Sequence, residues 1–201
     1  MKYENEITVE VDTSLENLIT ILENKGFKLK ETYDLNDIYL INKVDKKGDY
    51  LSMLNKCVLI RHIIEENKEN KMLTYKYKEY NENKEITKQG KIKVKIDDID
   101  NSKLLFEKLN FEELIRINDH MLVYATDKDE LVIQNVNGKH IYIEIEDECH
   151  YANRFYNSIE EMKKVIYENS IPIKNNNFFV KKAEIELQER FDMILNKSKS
   201  Y

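Results

Sequence analysis

The chain has 201 residues, 41% of them hydrophobic and 35% charged, with a formal net charge of −6. That length suits one domain with a sizeable core, and the acidic balance argues against a general nucleic-acid binder. No apolar run reaches membrane-spanning length, and two cysteines, Cys57 and Cys149, are too few for a disulfide framework.

The opening MKYENEITVEVD lacks the basic-then-apolar layout of a signal peptide, so a cytoplasmic protein with reduced thiols is expected. Residues 4–11 alternate strictly. Glu4, Glu6, Thr8 and Glu10 fall on one face and Ile7, Val9 and Val11 on the other, which predicts a half-buried strand. Thr13-x-x-Glu16 reads as a capping box opening a helix with Leu15, Leu18, Ile19 and Leu22 as its apolar stripe. Gly26 is placed to end it. Strands are predicted around 28–33, 37–44, 56–64, 71–79 and 86–96.

The plan then repeats. KIKVKID at 91–97 alternates as the opening strand does, a helix is predicted over 101–109, and Phe111 follows it as Phe27 follows the first. Further strands are predicted at about 114–118, 121–126, 130–136 and 140–147. Ser158-x-x-Glu161 caps a helix over 158–169, Pro172 closes that segment, and a last helix runs over about 180–196. The expected fold is one α+β domain, residues 1–201, of two pseudo-repeated halves, about 1–88 and 89–201. Its antiparallel strands are expected to close into a β-barrel with helices packed outside.

Alternation also sorts charge. One strand face carries Glu4, Glu6 and Glu10, and another carries His140, Tyr142, Glu144 and Glu146. Thr74, Lys76 and Lys78 share a face, as do Lys91, Lys93 and Lys95, while Arg61 and Arg116 sit in otherwise apolar strands. Carboxylates two apart on a strand can share Mg²⁺ or Mn²⁺, and cations facing them would neutralise phosphate oxygens. Alternation alone does not separate such an inward wall from the solvent face of an antiparallel sheet. The four histidines are scattered, and Cys149-His150 has no second pair at zinc-like spacing. Glycines at 26, 48, 90 and 138 form no phosphate loop.

The order of segments resembles the CYTH family, or triphosphate tunnel metalloenzymes, which includes class IV adenylate cyclases, thiamine triphosphatases and inorganic triphosphatases. Glu4-Asn5-Glu6-Ile7-Thr8 stands at its E-x-E-x-K strand, and Asp37-Ile38-Tyr39 at D-x-Y. Leu59-Ile60-Arg61 stands at R-x-R, Leu73-Thr74-Tyr75-Lys76 at L-T-x-K, Arg116-Ile117-Asn118 at K/R-x-R, and Glu144-Ile145-Glu146 at the late E-x-E. The sequence departs from the pattern at Thr8, Leu59 and Asn118, and at Gln89, Lys91 and Lys93 where an arginine and two acids are expected. Gln134 stands for an aspartate.

The resemblance implies a β-tunnel that holds Mg²⁺ or Mn²⁺ on Glu4, Glu6, Glu144 and Glu146. It implies a small-molecule polyphosphate or nucleotide on Arg61, Lys76, Lys78, Lys91, Lys93 and Arg116. Glu6, Glu144, Glu146 and Lys76 are the implied catalytic set. Water would attack the terminal phosphorus of a triphosphate; in a cyclase the ribose hydroxyl would attack the α-phosphorus instead. A polyphosphate-binding scaffold without catalysis is the alternative that the departures leave open. A homodimer is compatible with either.

Overall fold

The computed structural model describes residues 6–80 and 86–198. Its elements run β1 (Glu6–Glu10), α1 (Leu15–Asn24), β2 (Lys28–Asn42), α2 (Tyr50–Leu54), β3 (Val58–Glu65), β4 (Lys68–Tyr80) and β5 (Ile86–Lys95). Then come α3 (Ile99–Lys108), β6 (Phe111–Ala125), β7 (Glu130–Val136), β8 (His140–Glu146), α4 (Ile159–Glu168) and α5 (Lys182–Ser198). The strands form one eight-stranded sheet in the order β1-β8-β7-β6-β2-β3-β4-β5. β1 and β5 end it, so hydrogen bonds do not close the sheet into the expected barrel. What the described residues establish is a mixed α+β fold on one large antiparallel sheet.

The repeated plan is legible in this order. Strand, helix and a 15-residue strand recur as β1-α1-β2 and β5-α3-β6. Exchanging β1 to β4 with β5 to β8 turns the strand order into its own reverse. Both first helices end through a left-handed residue, Gly26 at φ 88° and Asn110 at φ 68°, followed by Phe27 and Phe111. That conformation frees the chain to turn back into a strand. The cap of α1 is Ser14, whose hydroxyl accepts from the Asn17 N–H, rather than Thr13.

The chain packs as two compact units, with β2 and β6 passing through both. One contains residues 6–34 and Asn118–Val180. There α1 and α4 pack on one sheet face, where Ile7, Leu18, Leu22, Ile133, Ile143 and Ile166 are fully buried. The other contains Leu35–Ile117 and α5. Its smaller core joins Ile38, Leu40 and Ile60 to Leu73 and to Phe106 of α3. In both, period-two alternation assigns the apolar set to the helix-covered face and leaves the charged set on the opposite one.

Candidate functional site

In the first of these units, antiparallel register sets Glu6 opposite Glu146, Thr8 opposite Glu144 and Glu10 opposite Tyr142. Residues directly opposite share a face, so Gln134, opposite Tyr142 on β7, belongs to it as well. The face is graded: Tyr142 is 0% exposed, Gln134 1% and Thr8 9%, whereas Glu6 and Glu144 are half-buried and Glu146 is exposed. Carboxylate oxygens of Glu6, Glu144 and Glu146 all lie within 4.8 Å of one another. A cluster of hard oxygen donors suits Mg²⁺ or Mn²⁺. Gln134 Nε2 donates to Glu144 at 2.9 Å and so orients one of the three. Glu10 is engaged elsewhere, accepting from Lys174 at 2.9 Å and facing His140 at 3.2 Å. Glu4 lies outside the described residues.

A cavity of about 140 Å³ adjoins Glu144 and Glu146, with Glu31, Tyr33, Glu148 and Tyr151 among its walls. The loop behind it is tied down by Glu130, whose carboxylate accepts from the backbone N–H groups of His150, Tyr151 and Ala152. Asp129 holds the same loop through Arg154 at 2.6 Å and the Tyr156 hydroxyl at 3.1 Å. Burial and the neighbouring carboxylates push the Cys149 thiol up to about 11, so it is a poor nucleophile at neutral pH.

The other unit carries the cations. Arg61 on β3 donates twice to the 1%-exposed Asp37, at 2.8 and 2.6 Å. Lys76 lies opposite Lys91, and Thr74 opposite Lys93. Burial, with Arg61, Lys91 and Lys182 adding positive charge and Asp37 opposing them, pulls the Lys76 ammonium down to about 8. Arg61, Lys76 and Lys91 are therefore brought together as read from sequence, with Lys93 adjoining. Lys78 lies among the residues whose side chains are not described.

Arg116 is not brought to them. Its exposed guanidinium bonds Glu113 at 3.0 Å, which also takes Lys103 of α3, on the helix-covered side. Two members have no assigned role in the sequence reading, Asp37, which stands there only at D-x-Y, and Lys182. Asp37 had a signal, an acid inside the apolar run 35–41; Lys182 had none beyond its charge.

No family model matches the chain. A curated protein of Methanocaldococcus jannaschii, named "putative adenylate cyclase", is 27% identical over 186 residues, 92% of this chain and 98% of that one. Among solved structures, a Pyrococcus horikoshii protein superposes with a TM-score of 0.68 at 19% identity, over 93% of this chain and 99% of that one. A Vibrio parahaemolyticus "putative adenylate cyclase" gives a TM-score of 0.55 at 8% identity, over 92% and 98%. The structural likenesses show a shared fold. No described helix is long and apolar enough to cross a membrane.

Proposed function

We propose that the chain binds a nucleotide or another triphosphate together with Mg²⁺ or Mn²⁺ and hydrolyses it. The observation that carries this reading is the convergence of Glu6, Glu144 and Glu146, the first two half-buried, within 4.8 Å of one another. Three carboxylates held that close repel one another, and a divalent cation is the natural counter-charge. Bound there, the cation would supply Lewis acidity and a water of lowered pKa. Arg61, pinned by Asp37, presents a fixed guanidinium for phosphate oxygens, and Lys76 and Lys91 add point charges. The catalysis proposed is positioning and charge stabilisation, with no covalent intermediate. Cyclisation of ATP is the second reading, favoured by the name borne by the Methanocaldococcus relative.

The test is a set of phosphate-release and cyclic-nucleotide assays on tripolyphosphate, thiamine triphosphate and ATP, each with Mg²⁺, Mn²⁺ or chelator. Metal-dependent phosphate release is expected, and it should vanish in Glu6→Ala and Glu144→Ala. Cyclic nucleotide without phosphate release selects the second reading. Metal-independent tripolyphosphate binding without turnover replaces both with an anion-binding scaffold.

A further inference from the structure

Thr74 is 0% exposed, and on the cationic strands its hydroxyl is a buried polar atom. Among the described residues Oγ1 has no hydrogen-bond partner. Buried hydroxyls ordinarily find one, because an unmade bond costs the full desolvation of the group. A valine there would fill the same space in a strand without that cost.

The placement of the hydroxyl is specific. Thr74 lies opposite Leu59 on β3 and Lys93 on β5, and two residues before Lys76 on the same face of β4. Arg61 lies one cross-strand step away, opposite Met72. A donor without a protein acceptor thus stands amid cations that share its need for anionic oxygen. Lys76 and Lys93 bear charge on side chains long enough to reposition around a ligand, whereas Arg61 is held by Asp37 and the threonine hydroxyl is fixed by its strand.

We infer that Thr74 is a ligand-binding residue whose hydroxyl donates to a phosphoryl oxygen of the triphosphate held by Arg61, Lys76 and Lys93. The inference rests on the triphosphate reading above and adds to it a short neutral donor that discriminates by geometry rather than charge. Hydrogen bonds from a hydroxyl to an anionic oxygen are short and directional, so this contact fixes the register of the phosphate chain. It is a phosphate-orienting contact and involves no covalent step.

Titration calorimetry with tripolyphosphate, on wild type, Thr74→Val and Thr74→Ser, tests this, with melting of each ligand-free protein alongside. Thr74→Val should bind about tenfold more weakly, the scale of one hydrogen bond to a charged group. Its ligand-free melting temperature should stay level or rise, because an unmade bond is removed. Thr74→Ser keeps the hydroxyl and should bind as wild type does. If wild type binds and Thr74→Val binds equally well, the inference fails while the triphosphate reading stands. Equal losses in Thr74→Val and Thr74→Ser overturn it too, since the methyl and not the hydroxyl then matters. No tripolyphosphate binding by wild type removes the triphosphate reading, and this inference with it.

Discussion

Glu6 stands directly opposite Glu146 across the β1–β8 ladder, and Lys76 stands directly opposite Lys91 across β4–β5. Like charges directly opposite on one face repel one another. Glu146→Gln relieves one repulsion and removes one metal donor. Its metal-free stability should stay within about 1 kcal/mol of wild type. The rise in melting temperature that Mn²⁺ gives wild type should be lost. A full Mn²⁺ response in Glu146→Ala, which leaves no side-chain oxygen, would show that Glu146 is not a ligand.

Asp37 and Arg61 form a bidentate pair, with Asp37 at 2% and Arg61 at 18% side-chain exposure. Removing one partner of a buried pair strands the other charge, at a cost of about 3–5 kcal/mol. Asp37→Asn should therefore destabilise strongly in urea titrations. The double variant Asp37→Asn with Arg61→Met should recover much of that loss, because no orphan charge remains. Additive losses in the double variant would mean that the pair is not energetically coupled.

These two pairs differ in how far the sequence discloses them. Glu6 and Ile7, or Lys91 and Ile92, declare their opposite faces by alternation, because the side-chain period of a strand is two. Which strand lies beside which is not carried by alternation, so the Asp37–Arg61 bond and the open ends of the sheet were not legible. The sequence predicts a break in each of the long strands β2 and β6, near Asp34 and Asn36 and near Asn118 and Asp119, residue types that favour turns. Tertiary packing overrides that preference and buries Asp119 at 2% exposure. Arg116 was grouped with Arg61 by motif order, which is blind to the Glu113 and Lys103 that hold it on the α3 side.

The two helix ends supply a test of the repeat that involves no charge. Gly26 and Asn110 hold the same left-handed conformation, which costs a residue with a side chain roughly 1 kcal/mol. Nothing lies within 4 Å of a Cβ built on Gly26, so Gly26→Ala should lose about 1 kcal/mol through backbone strain alone. Asn110→Gly should gain a few tenths to 1 kcal/mol by relieving the same strain. Denaturant midpoints at unchanged slope would measure both, and a destabilised Asn110→Gly would contradict the equivalence.

Lys76 makes stability and anion binding depend on pH in opposite senses. Its folded pKa, about 8, lies below the free value of 10.5, so the folded state releases this proton first as pH rises. Between these values the unfolded chain binds more protons, and stability attributable to Lys76 increases with pH. Below pH 8 the ammonium is charged in both states, and its desolvation penalty stands in full. Lys76→Met removes that penalty and should be more stable than wild type at pH 7 by on the order of 2–3 kcal/mol. The advantage should shrink steadily from pH 8 to 10.5, as wild type sheds the proton. Tripolyphosphate affinity should fall over the start of that range in wild type and stay level in Lys76→Met, which lacks the titrating cation. Parallel stability curves for the two proteins from pH 7 to 10.5 would show that Lys76 is not held below its ordinary range.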